Sequence, residues 1–167
     1  MNLKTSCEHA IFAAGCFWGV QATFDQVNGV ITTVVGYCGG TTLNPTYQEV
    51  CQGTTGHAEA ILITFDPTII SYDELLDIFF TNHDPTTLNS QGPDHGSQYR
   101  SAVFFSNDKQ LSSATHKIKQ LTDSQTHTQP IVTEVTASTS FFDAEDYHQK
   151  YYQKHNITCT ILLTDKK

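Results

Sequence analysis

The stretch Ala10-Ile-Phe-Ala-Ala-Gly15-Cys16-Phe-Trp-Gly19 organises the reading of the whole 167-residue chain. Residues 9–14 form an apolar run of strand length, and Gly15 lets the backbone turn tightly or be approached closely. A helix is predicted to open near Cys16 and to run to about Val27, burying Phe17, Val20 and Phe24, before Asn28-Gly29 stops it. That order puts the Cys16 sulfur at a helix N-terminus, where unpaired amides and the macrodipole favour an anion. Half ionisation at neutral pH needs a shift of about 1.5 pH units from the ordinary thiol value, roughly 2 kcal/mol. A helix terminus reaches that only at its upper limit, so a second contributor is required.

Working outward, residues 30–37 are β-branched and strand-like, and residues 58–65 alternate until Asp66-Pro67. Ser71-Tyr-Asp-Glu74 is a capping box opening a helix to about Asn82. Residues 83–98 form a polar loop holding Pro85, Gly92, Pro93 and Gly96, of a length usually reserved for function. Residues 99–105 and 131–137 read as strands and 108–121 as a helix. Asp143 is predicted to cap a last helix to about Lys154. Helices among strands that are not hairpins give an α/β class, an α+β two-layer sandwich with helices packed on a mixed sheet. No repeat, linker or low-complexity tract divides the chain, so one domain over residues 1–167 is expected.

Seventeen acidic and nine basic residues give a formal charge of −8, which argues against nucleic acid or an anionic membrane as partner. No apolar run approaches the roughly 20 residues that span a bilayer. Lys4 followed by residues 10–15 has a faint look of a leader, but the apolar part is too short and Glu8 is acidic. The expected location is the cytoplasm and the expected state a monomer. Five cysteines, at 7, 16, 38, 51 and 159, are an odd number without a Cys-x-x-Cys or zinc-finger spacing. Neither a disulfide scaffold nor a metal or other cofactor is expected, which leaves inert thiols or redox and nucleophilic ones.

The segment Gly15-Cys-Phe-Trp-Gly19 resembles the signature of the A-type peptide methionine sulfoxide reductases. Gly36-Tyr37-Cys38-Gly39-Gly40, Tyr47-Gln-Glu-Val-Cys51 and Thr55-Gly-His-Ala-Glu59 follow in that family's order, as do His83-Asp-Pro-Thr-Thr-Leu-Asn89, Gln91-Gly-Pro-Asp94, Gln98-Tyr-Arg-Ser101 and Ala144-Glu-Asp-Tyr-His-Gln-Lys-Tyr151. The likeness runs from about residue 10 to 155. It implies a ferredoxin-like arrangement, reduction of the S epimer of methionine sulfoxide, free or in proteins, and thioredoxin as reductant.

The chemistry fits these residues. A sulfoxide sulfur accepts a thiolate only if its oxygen is protonated or strongly hydrogen-bonded as charge develops. Cys16 is the candidate nucleophile. Glu59, at the head of an apolar strand, can be desolvated and kept protonated, and a neutral Glu59 beside a Cys16 thiolate is the coherent pairing. The resemblance gives Glu59 the role of catalytic acid, makes Tyr47 and Tyr99 donors to the sulfoxide oxygen, and places Asp94 in the pocket. Phe17 and Trp18 are expected to hold the methyl group. A Cys16 sulfenic acid would then condense with a second thiol. The resemblance suggests Cys159, although Asn156-Ile-Thr-Cys159 and the apolar residues 160–163 replace the family's glycine-rich stretch. Cys51 matches an often buried family cysteine, Cys38 stands where alanine is usual, and Cys7 is expected to be exposed. His57 and His95 adjoin site positions but are given no chemistry. Two other classes remain: a cysteine hydrolase or transferase, betrayed by turnover without reductant, and a module that binds oxidised methionine without reducing it.

Overall fold

A computed structural model describes residues 6–161; Lys4, Leu162 and Leu163 lie outside the described residues. The chain alternates strands β1 (Glu8–Ala14), β2 (Val30–Cys38), β3 (Ala58–Phe65), β4 (Ser90–Gln91), β5 (Asp94–His95), β6 (Ser101–Phe105), β7 (Glu134–Ala137) and β8 (Phe142–Asp143) with helices α1 (Phe17–Phe24), α2 (Tyr47–Cys51), α3 (Tyr72–Thr81), α4 (Asp108–Asp123) and α5 (Tyr151–Lys154). Six strands make one mixed sheet in the order β7-β6-β1-β3-β2-β8, and β4 and β5 form a separate hairpin. Only β6 and β7 are parallel; the other pairs in the sheet are antiparallel. The central order β6-β1-β3-β2, with α1 and α3 as the two crossovers, is the double split βαβ of ferredoxin-like folds, as expected. Among the described residues no helix is long and apolar enough to cross a membrane.

Strand period decides what the helices cover. Ala10 and Phe12 of β1 and Ile61, Ile63 and Phe65 of β3 share one cluster with Phe24 of α1 and Leu75, Leu76 and Phe79 of α3. Ile11, Ala13, Ala58, Ala60 and Cys38 point the other way, into a smaller cluster with Phe104. Glu59 is two residues ahead of Ile61, so it faces the helix side. α3 starts with the predicted box, in which Ser71 accepts from the Glu74 amide and Glu74 from that of Ser71.

Three local expectations change. The helix expected from Asp143 is replaced by strand β8, a 3-10 turn at Asp146–His148, and a left-handed Lys150 (φ +55°) before the single turn of α5. Tertiary bonds displace it: the Gln149 side-chain amide accepts from Val35 N–H and donates to Val35 C=O, closing the free edge of β2 like a strand. Residues 97–99 are a 3-10 turn, so β6 starts only at Ser101. The five-residue α2 has no counterpart in the sequence reading; Thr46 and Glu49 form its capping box.

Candidate active site

Gly15 (φ +88°) turns the chain from β1 into α1, and a β-carbon there would lie 2.7 Å from the Gln91 side chain. Glycine is therefore required for both backbone angle and space. Cys16 becomes the N-cap of α1. The first free amide, Phe17 N–H, donates to Glu59 Oε2 at 3.0 Å, bringing the carboxyl from β3 to the residue next to Cys16. The amides of Trp18 and Gly19 interact with the Cys16 sulfur and favour its anion.

Burial outweighs those amides. Desolvation, then the charge of Glu59, pushes the Cys16 thiol up to about 11. Desolvation likewise pushes Glu59, 1% exposed, up to about 7, against the pull of the Phe17 amide and with help from Asp94. The site thus holds a thiol beside a carboxyl that keeps its proton to near neutrality. Of the expected pairing, a neutral Glu59 beside a Cys16 thiolate, the carboxyl half agrees with this electrostatic balance and the thiolate half does not. The terminus contributes, but a half-buried sulfur facing two carboxylates loses more than two amides return.

Tyr47 opens α2 and its N–H donates to Glu145 Oε2 at 3.2 Å. Glu145 also accepts from the fully buried Tyr37 hydroxyl at 2.9 Å. Burial drives Tyr47 far above the ordinary phenol range and Tyr99 up to about 12, and both feel the charge of Glu59. Tyr99 also couples to Asp94 and Cys16. Its neighbour Arg100 ties down the 3-10 turn, its guanidinium donating to the Ser97 and Gly56 carbonyls and pairing with Glu134. Asp94 lies on the β4–β5 hairpin that the long loop forms around Gly92-Pro93.

Phe17 is 1% exposed among Val35, Tyr37, Val50 and Ala144, whereas Trp18 is only half-buried and stacks on Tyr151 at 3.7 Å. Sequence reading missed two groups that hold these residues, Glu145 and His148. Both lie inside the quoted motif Ala144-Glu-Asp-Tyr-His, which is the only signal that pointed near them. His57 is a structural pin: its ring accepts from Gly40 N–H and donates to Thr42 C=O, fixing the loop before α2.

A cleft of about 340 Å³ is lined by Cys16, Gly19, Thr23, Asp94, Tyr152 and Cys159 among others, so two of the five thiols face one space. Cys159 Sγ lies 3.7 Å from the Thr23 hydroxyl. Both thiols are free, and Thr23 lies seven residues beyond Cys16, a backbone rise of about 10 Å along the helix axis. Cys38 is fully buried on the opposite face of the sheet, and Cys7 is exposed as expected. Cys51 is exposed rather than buried, because α2 lies on the surface with its last residue outward; its thiol hydrogen-bonds with Tyr47.

A desolvated thiol, a proton-holding carboxyl beside it and a further thiol in the same cleft define a thiol-dependent oxidoreductase. The family model described as peptide methionine sulfoxide reductase matches residues 8–167. A peptide methionine sulfoxide reductase MsrA of Methanococcoides burtonii is 56% identical over 147 residues, 88% of this chain and 96% of that protein. One of Pasteurella multocida is 51% identical over 162 residues, covering 95% and 91%. Among solved structures, reduced Mxr1 from Saccharomyces cerevisiae matches with a TM-score of 0.86 at 33% identity, covering 95% of this chain and 91% of that one. The same yeast protein in an unusual oxidised form matches less well, at 0.69, and it is also known in complex with Trx2. The chain belongs to the peptide methionine sulfoxide reductase family, and within it to the A type.

Proposed function

We propose that this enzyme reduces the S epimer of methionine sulfoxide, free or in oxidised proteins, with Cys16 as nucleophile and Glu59 as acid. The observation that carries this reading is the Glu59 carboxyl, buried and tied to the amide beside Cys16, with its proton retained to about pH 7. The sulfoxide dipole offsets the burial that holds the Cys16 thiol protonated. Its positive sulfur faces Cys16 and stabilises the forming thiolate, while its oxygen accepts from Glu59, Tyr47 and Tyr99. A bond forms from Cys16 Sγ to the substrate sulfur as the oxygen is protonated. Net transfer leaves that oxygen and one proton on Cys16 as a sulfenic acid and releases methionine. The substrate sulfur gains two electrons and Cys16 loses two. Trp18, backed by the buried Phe17, receives the methyl group, and Asp94 shapes the polar side of the pocket.

The sulfenic acid then condenses with the Cys159 thiol, giving a disulfide and water. The shared cleft supports this partner, and Cys159, a free thiol beside Thr23, meets Cys16 when the C-terminal segment moves toward the helix N-terminus. The poorer match to the oxidised yeast relative than to its reduced form agrees with such a rearrangement. A thioredoxin dithiol returns both cysteines to the thiol state; the yeast relative's complex with Trx2 is the precedent.

The test is mass analysis after one equivalent of a resolved sulfoxide diastereomer without reductant. The expected product from the S form is one methionine and a protein two mass units lighter, with Cys16 linked to Cys159. A pyramidal sulfur with its methyl fixed on one side and its oxygen on the other presents to Cys16 in one hand only. Equal consumption of both epimers would refute the pocket.

A further inference from the structure

Cys16, Gly19 and Thr23 follow at spacings of three and four residues, so they lie along one face of α1. Thr23 moors Cys159 at the far end of that row. Its hydroxyl donates to the Gly19 carbonyl at 3.1 Å, so toward the sulfur, 3.7 Å away, it accepts and the Cys159 thiol donates. Half-buried Tyr152 stands over the middle of the row: a β-carbon on Gly19 would lie 3.6 Å from its hydroxyl oxygen and 4.0 Å from the adjoining ring carbon. Burial first, then the charges of Cys16, Cys159 and Asp94, holds that phenol above its ordinary value, so it feels both sulfurs. Tyr152 and Cys159 also line both the Cys16 cleft and a second cavity of about 400 Å³ beside Gln26 and Lys150.

The resolving thiol and the sulfoxide need the same space at Cys16, at different times. A thiol that settled there in the reduced enzyme would exclude the substrate. One that never arrived would leave the sulfenic acid unresolved. We propose that Tyr152 is the gate between the two half-reactions: its ring, standing over Gly19, keeps Cys159 at Thr23 while the sulfoxide is reduced, and withdraws to let Cys159 reach the Cys16 sulfenic acid. This rests on the reading of Cys159 as the resolving thiol. The second cavity gives the ring room to withdraw. The bond from Ile157 N–H to the Tyr152 carbonyl, 2.8 Å, links the gate to the segment that carries Cys159. The step beyond the gate is balanced: the two sulfurs bond, and the sulfenic oxygen leaves as water with the Cys159 proton.

If the ring must be displaced whenever the disulfide exists, removing it favours the disulfide at equilibrium, whatever step limits turnover. The test is titration of the Cys16–Cys159 pair of the full chain in glutathione redox buffers. Tyr152→Leu should favour the disulfide about tenfold, a potential about 30 mV lower than wild type. Tyr152→Phe keeps the ring over Gly19 and should stay near wild type. With dithiothreitol as reductant, Tyr152→Leu should raise KM for methionine sulfoxide about threefold, because intruding Cys159 lowers the share of open clefts. Adding Cys159→Ala to Tyr152→Leu should restore KM. If Tyr152→Leu fails to fold, Tyr152→Met, an adaptable side chain without a ring, takes its place with the same expectations. A potential unchanged or higher without the ring, an equal shift in Tyr152→Phe, or a KM rise that persists without Cys159 would each overturn the gate. Absence of any Cys16–Cys159 disulfide in the wild type would instead break the assignment of Cys159, and the gate with it.

Discussion

The two thiols of the cleft are held in opposite ways. Cys16 sits on a turn that only glycine permits, at the head of a helix whose first amide is bonded to Glu59 from another strand. Cys159 is held by a 3.7 Å contact to the Thr23 hydroxyl and, through its carbonyl, by the Gln26 side chain. The difference fits the division of labour proposed for them. A nucleophile must meet a pyramidal sulfur in one geometry and gains from rigidity, whereas a recycling thiol must travel and gains from weak moorings.

The comparison can be broken most severely at Cys16. Cys16→Ser should abolish reduction in both single and multiple turnover while the far-ultraviolet spectrum and melting temperature stay close to wild type, since a hydroxyl fits but is a far weaker nucleophile. Residual oxygen transfer by the folded variant would move the chemistry to another thiol. Cys159→Ser should leave the first burst of methionine intact and then stall with thioredoxin. Unchanged steady-state turnover would transfer the role to Cys51, which is exposed and beside Tyr47, rather than to Cys38, which is sealed on the other face of the sheet.

A smaller effect sharpens the rigid side. Glu59→Gln should slow the single-turnover step about 10²–10⁴-fold while binding substrate nearly as well. The wild-type rate should fall as pH rises through about 7, where Glu59 loses its proton, and the variant should lack that limb. Rates within a fewfold of wild type would remove Glu59 as the acid.

The same carboxyl gives the smallest effect, on stability. Its folded value of about 7 lies above the ordinary 4.5, so the folded state binds the proton more tightly. Its contribution is complete below 4.5 and is lost as pH rises to about 7, on the order of 3 kcal/mol. Glu59→Gln, which can still accept from Phe17 N–H, should match wild type at pH 4.5 and melt several degrees higher at pH 8. Equal melting curves at pH 8 would mean the carboxyl is not desolvated as described.

Much of the frame is legible in short windows of sequence. Period-2 strands at β1, β2 and β3, the Ser71–Glu74 box, and Gly15 before Cys16 follow from local sterics and hydrogen bonding, and the parity of β3 puts Glu59 on the helix side of the sheet. The ordered motifs add the identity of the reaction. Residues 143–154 show the limit. Their polar, helix-compatible pattern gave no sign that Gln149 would bond across to Val35, Lys150 N–H to Gln21, and Glu145 to both Tyr37 and Tyr47. Each of those bonds joins positions about 100 or more apart, and Lys150, left-handed with its N–H given to Gln21, cannot continue a helix through that point.

The sequence by itself determined that a strand-turn-helix carries a cysteine at its turn, and which residues accompany it. Only the tertiary structure decided how that cysteine ionises, where Cys159 rests, and what holds Trp18. Propensity and periodicity act between neighbours along the chain. Desolvation of Cys16 and Glu59, and the bond from Trp18 to His148, depend on atoms that only the folded sheet and its returning C-terminal segment bring together.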